Sequence, residues 1–154
     1  MHVHIVKMLF HFQTQESLRV VKLSSRATVP TRATEGSAGY DLASSEDVVV
    51  PKRGRALIST HLSIMMPKNT YGRISSRSGH SLKNGIEIGA GVLDSDFRGH
   101  VKVLMYNHSD TDFQVTQGMN IAQLICEVIV TPQVTETSGL PETERGAKGF
   151  GSSN

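Results

Sequence analysis

The stretch from Gly89 to Gly99 reads Gly-Ala-Gly-Val-Leu-Asp-Ser-Asp-Phe-Arg-Gly and lies between two strand-like runs. Glycines at 89 and 91 would let main-chain N–H and C=O groups come close to a flat ligand that a side chain would hold off. Asp94 sits just beyond that opening. On spacing alone the turn reading wins, since an Asp-Ser-Asp between strands is usually a turn whose side chains bond nearby backbone.

Four further stretches could do chemistry. Arg77-Ser78-Gly79 follows a strand and precedes a possible helical turn, a setting where backbone N–H groups, a hydroxyl and a forked guanidinium favour an anion. Asp41, in Ala38-Gly-Tyr-Asp-Leu42, could orient water around a magnesium ion that rides on phosphates, or could simply close a turn. Gln123 is a polar residue inside the apolar run GMNIAQL, where bonding to backbone would be enough to explain it. The tail Arg145-Gly-Ala-Lys-Gly-Phe-Gly-Ser-Ser153 combines cations, hydroxyls and permissive backbone with one aromatic ring, Phe150, that has no core to join. Its composition is also that of a disordered end.

These residues need a scaffold. Short apolar runs occur at Leu18 to Leu23, Asp47 to Val50, Arg55 to Met66, Tyr71 to Ser75, Ile86 to Leu93, His100 to Asn107, Phe113 to Thr116 and Ile121 to Val130. Gly, Pro, Asn and Asp punctuate them, which predicts an all-β sandwich or barrel. Helix is confined to a turn or two around His80 to Lys83. The chain has 154 residues, the length of a single domain. Residues 1–17 form an N-terminal extension, expected to be flexible; 18–130 form the β-rich core; and 131–154, where apolar periodicity fades, form a C-terminal arm.

Composition sets limits on function. A formal charge of +2 with both signs interspersed gives no field suited to duplex nucleic acid. No stretch is long enough to span a membrane, and the opening MHVHIVKMLFHF lacks the small-residue cleavage site of a signal peptide. His2, His4 and His11 have no matching Cys or acid cluster for a metal. The lone Cys126, inside an apolar run, reads as a small hydrophobe in an intracellular, reducing compartment, with cytoplasm and nucleus left open.

Taken in order, AGYDL, GRISSRSG, GAGVLDSDFRG, GMNIAQLI and RGAKGFGSS resemble the five ordered motifs of the trimeric dUTPase family, the deoxyuridine triphosphate nucleotidohydrolases. The similarity runs from about Leu18 to the C-terminus. It implies a distorted jelly-roll or β-clip-like barrel subunit assembling as a homotrimer with shared active sites. The implied reaction is hydrolysis of dUTP to dUMP and pyrophosphate with Mg2+, which keeps uracil out of DNA and supplies dUMP for thymidylate synthesis.

By motif position, the resemblance makes Asp94 the base that deprotonates the water attacking the α-phosphorus. Asp96 would be structural. The backbone of Gly89, Ala90 and Gly91 would read the uracil edge, and Phe97 would lie against the deoxyribose. Arg77, Ser78 and Gly79 would hold phosphates, Gln123 would contact the phosphate or water network, and Asp41 would reach magnesium through water. The arm would close over substrate, Phe150 stacking on uracil while Arg145, Gly151 and Ser152 grip the terminal phosphates.

The chain departs from the family pattern at several positions. Ser76 replaces a usual Pro, His80 a small or apolar residue, Phe97 a Tyr, Met119 and Asn120 an Asp-Arg pair, and Lys148 a Gly. One alternative is therefore a dUTPase-like binding or regulatory protein with slowed turnover. The related dCTP deaminase branch and a capsid-type jelly roll are others, but the first lacks a visible cytosine-reading feature and the second leaves the tail unexplained.

Overall fold

The structure, a computed structural model, describes residues 17–150. The expected extension, except for Ser17, lies outside the described residues, as do Gly151 and Ser152. Among the described residues, ten strands and one helix are arranged in three sheets. Strands β1 (Arg19–Lys22), β4 (Arg55–Met65), β8 (Val101–Asn107) and β6 (Ile86–Gly89) make the first sheet in that order, and every pairing is antiparallel. Strands β2 (Tyr40–Ala43), β10 (Asn120–Val128), β5 (Thr70–Ser75) and β7 (Val92–Leu93) make the second. The short β3 (Val48–Val50) and β9 (Phe113–Val115) pair beside them.

Alternation explains why these strands share a core. In β8, Val101, Val103, Met105 and Asn107 face inward while Lys102 faces water. In β4 the inward set is Ile58, Thr60, Leu62 and Ile64. Leu42, Ile74, Leu93, Ala122 and Leu124 from the second sheet, with Val50 and Val115 from the third, complete one cluster. Burying each of the larger side chains contributes about 1.5–3 kcal/mol. Buried polar groups are paired: Thr60 Oγ1 donates to the Val101 carbonyl at 2.6 Å, and Asn107 Nδ2 donates to the carbonyls of Val50 and Thr111.

Two elements differ from the sequence expectation. The segment Tyr40–Ala43, which reads as a turn, is a strand, paired through Leu42 with Ala122 and through Asp41 with Gln123. Its brevity hides it, as do Ser44 and Ser45, which are polar yet fully buried. The run Ile86 to Leu93, which reads as one strand, is two. Gly89 pairs in the first sheet, Val92 in the second, and Ala90 between them turns the chain at φ 49°.

Candidate active site

Strand β5 delivers the phosphate-type loop. It ends at Ser75, and after Ser76 and Arg77 the chain enters α1 (Ser78–Asn84), about two turns that contain the expected His80 to Lys83. The helix stops at Gly85, whose left-handed φ of 65° lets its N–H reach the carbonyls of His80 and Ser81. Ser76 makes two hydrogen bonds, of which only the hydroxyl's is one that a Pro at this position could not make. Its hydroxyl accepts from the Ile88 N–H at 3.0 Å, and its carbonyl accepts from Gln123 Nε2 at 2.9 Å. A side chain at Gly39 would come within 2.5 Å of Gln123 Oε1, so the glycine is what lets Gln123 lie flat against β2.

Asp41 and Arg77 form an ion pair through Oδ1 and Nη1, and Asn120 Nδ2 donates to Asp41 Oδ2 at 3.2 Å. His80 Nε2 donates to the Asn120 carbonyl at 3.0 Å. Asp41, Arg77 and His80 border an open cleft of about 580 Å³, lined also by Ser78, Gly79, Lys83 and Gln123. Three cationic or ionisable nitrogen side chains beside one carboxylate make it a place for a polyanion. Asp41, Arg77, Ser78, Gly79 and Gln123 are thus brought together, as the sequence suggests.

The Gly89 to Gly99 stretch has a different character. Its glycines serve packing within the subunit and not only open backbone. A Cβ on Gly89 would lie 2.5 Å from the Tyr106 ring, and one on Gly91 would lie 2.3 Å from the Ile74 carbonyl. Ile74 N–H also donates to the Gly91 carbonyl at 2.7 Å. These contacts hold Ala90 in a left-handed conformation that an L-residue adopts only under such constraint. Beyond β7, the Phe97 N–H closes a turn onto the Asp94 carbonyl at 3.2 Å.

The carboxylates of Asp94 and Asp96 are exposed and have no hydrogen-bond partner among the described residues. The turn is held instead by its backbone and by Arg98, which donates to the carbonyls of Ser95 and Phe97. Among the described residues, neither Asp caps the turn with its side chain. Phe97 is 41% exposed, its ring lying where a Cβ on Gly99 would come within 2.6 Å.

The arm leaves the body after the Ile129 N–H donates to the Asn69 carbonyl. No strand follows among the described residues. Val134, Leu140 and Phe150 are all almost fully exposed, so the arm's apolar side chains find no cover within the described part of this subunit. Thr143 to Gly146 form a local turn, and Arg145 Nε donates to the Lys148 carbonyl at 3.1 Å.

One subunit does not bring Asp94 to Arg77. Leu93 pairs with Gly72 in antiparallel register, so Asp94 continues away from the end of β5 that carries Arg77. Five positions of extended chain separate Gly72 from Arg77, roughly 16 Å at about 3.3 Å each.

Gly39 and Lys83 line the cleft, and Asn120 and Ser76 hold its residues Asp41 and Gln123, although nothing in their residue types marks them as site residues. The departures at 76 and 120 are the only signal, since a serine carbonyl and an asparagine amide carry no motif of their own. For magnesium, no cluster of three His, Cys, Asp or Glu exists among the described residues. A lone Asp41 suits an ion held mainly by waters and substrate phosphates and does not suit an all-protein cage. Burial pushes the Cys126 thiol up, which fits a packing residue and not a nucleophile.

Fold and cleft together define an all-β chain of jelly-roll type with a polyanion cleft built on strand ends. A family model for dUTPase matches residues 25–154. The deoxyuridine 5'-triphosphate nucleotidohydrolase of Oryza sativa is 55% identical over 135 residues, covering 88% of this chain and 79% of that protein. A variant of the Staphylococcus bacteriophage 80alpha dUTPase with dUpNHpp superposes with a TM-score of 0.84 at 28% identity, over 90% of this chain and 99% of that one. A variant of the dUTPase from phage phi11 of S. aureus, whose structure gives the coordination of a structural Mg(II) ion, aligns with a TM-score of 0.76 at 25% identity over 82% of this chain and all of that one. The chain belongs to the dUTPase family.

Proposed function

We infer that this chain is a nucleotidohydrolase that converts dUTP to dUMP and pyrophosphate. The observation that carries the reading is the contrast at the site. Arg77, Asp41 and Gln123 are locked together in a cleft fit for phosphates, while Asp94 presents a carboxylate with nothing bonded to it among the described residues. An unpartnered acid held out by a closed turn is free to accept a proton from water.

The triphosphate lies along Arg77, Ser78 and Gly79, with Gln123 ordering the water and phosphate network from β10. Arg77 is already oriented by Asp41, so less freedom is lost when it grips a phosphate. Uracil meets the backbone of Gly89, Ala90 and Gly91. The packing of that hairpin against Tyr106 and Ile74 keeps its N–H and C=O groups fixed, so a cytosine would leave polar groups unpaired and a thymine methyl would clash. Phe97 covers the deoxyribose and disfavours a 2′-hydroxyl.

Asp94 deprotonates the water that attacks the α-phosphorus, and pyrophosphate leaves. Magnesium, when bound to the substrate phosphates, supplies charge neutralisation and alignment of the leaving group, with Asp41 reaching it through water. Because Asp94 and Arg77 lie at opposite ends of β5, the complete site draws them from different copies of a homotrimer. Arg145, Phe150, Gly151 and Ser152 arrive on the arm of a neighbouring copy, excluding water as they cover the nucleotide.

An intracellular setting fits the lone, packed Cys126. Among the described residues no helix is long and apolar enough to cross a membrane. Pyrophosphate release measured with dUTP, dCTP, dTTP and UTP tests the assignment. dUTP alone should be turned over rapidly, and ammonia from dCTP, or no pyrophosphate from dUTP, would overturn it.

A further inference from the structure

We propose that His80 is a positioning residue for the phosphate-binding arginine, acting through Asn120 and Asp41. The inference rests on the assignment of this cleft to the phosphates of dUTP.

His80 stands in the first turn of α1, whose N-cap residue Arg77 makes no capping side-chain hydrogen bond. Its ring is fixed from two sides. Phe113 of β9, packed on the core, meets it edge-on with centroids 5.3 Å apart at 71°. On the other side Nε2 lies 3.0 Å from the Asn120 carbonyl, and because a carbonyl only accepts, Nε2 carries the proton. Asn120 lies where β10 shifts register against β2, a place where the ladder alone does not fix the backbone.

From Asn120 the connection continues by side chains. Its amide donates to Asp41 Oδ2 at 3.2 Å, and the other carboxylate oxygen holds Arg77 Nη1. Without the His80 donor, Asn120 is released at the register shift, its amide loses aim, and Asp41 no longer fixes one guanidinium position. Arg77 must then be ordered by the incoming phosphate, which weakens binding without touching the reacting atoms.

Calorimetric titration of the full chain with a non-hydrolysable α,β-imido analogue of dUTP, alongside steady-state kinetics and thermal midpoints, tests this. His80→Leu should raise the analogue Kd and the KM about three- to tenfold, the scale of one net hydrogen bond. Its kcat should stay within about twofold of wild type. His80→Gln keeps an N–H at similar reach and should restore most of the affinity. In an Asn120→Ala background His80→Leu should cost nothing more, because the amide that transmits its effect is already gone.

Equal cost in both backgrounds would assign His80 only to holding α1 in place and would overturn the proposal. So would a Gln variant no better than Leu, or a Leu variant that binds like wild type. Failure of the wild-type protein itself to bind the analogue would instead overturn the assignment of the cleft, and this inference with it.

Discussion

The two halves of the proposed site, the surroundings of Arg77 and those of Asp94, are built on opposite physical terms. Around Arg77 a set of polar side chains is locked together: Asp41 and Asn120 on one side, Gln123 and Ser76 on the other. Around Asp94 the backbone is closed but the carboxylate is bare among the described residues, and the arm beyond Ile129 leaves its apolar side chains uncovered. A binding half profits from order, since every side chain fixed in advance lowers the cost of gripping a phosphate. A reacting half, as proposed for Asp94 and the arm, profits from keeping its base unsatisfied and its arm uncommitted until substrate arrives.

The strongest way to break this contrast is at Asp94. Asp94→Asn should bind the analogue nearly as wild type but lose about 1000-fold in kcat, because only the base is removed. Surviving turnover in a single-turnover assay would show that another group takes the proton.

Deleting the chain after Glu144 removes Arg145 and Phe150 and should lower kcat/KM about 100-fold through lost alignment and water exclusion. The oligomer, read by light scattering, should be unchanged, because the last strand of the subunit's sheets, β10, ends at Val128.

On the ordered side the effect should be smaller. Gly39→Ala puts a methyl within 2.5 Å of where Gln123 Oε1 now lies, so the amide must turn and lose its 2.9 Å bond to the Ser76 carbonyl. KM for dUTP should rise about fivefold with little change in kcat, the cost of roughly one hydrogen bond.

The smallest effect lies outside both halves, at the β4 bulge. There the His61 N–H donates to His100 Nε2 at 2.8 Å, which requires an unprotonated His100 nitrogen. Burial, reinforced by His61 and Lys102 nearby, holds His100 below the usual histidine range, with Glu46 opposing. A depressed folded value means that the unfolded chain binds the proton first. Stability is therefore fully present above the ordinary value of about 6.5 and is lost as pH falls through the lower folded one. Thermal midpoints should drop modestly between neutral and mildly acidic pH, less so in His100→Gln, while turnover at fixed pH changes little.

What can be read from the sequence follows the same division. Long alternating runs such as Val101–Asn107 declare their buried face by period, and the all-β class follows from them. Tyr40–Ala43 does not, because four residues are too few to show a period and the serines that follow it are buried by hydrogen bonds that composition cannot reveal. Arg77, Asp41 and Gln123 are visible as motif residues. Asn120, Ser76 and Gly39 are not, since their contributions are one amide, one carbonyl and an absent Cβ. The glycines at 89 and 91 are legible as necessary, but the atoms that require their missing side chains, in Tyr106 and Ile74, come from other strands, β8 and β5.

The central claim is that one site takes Asp94 and Arg77 from different copies, and mixing tests it directly. Asp94→Asn and Arg77→Ala chains, each nearly inactive alone, should be unfolded together, refolded as mixed oligomers and assayed with dUTP. Sites drawing each residue from the copy that retains it should recover about a quarter of wild-type turnover, the random-assortment value for two contributors in a symmetric assembly. Mixed oligomers no more active than either parent would place both residues in one subunit and contradict the account.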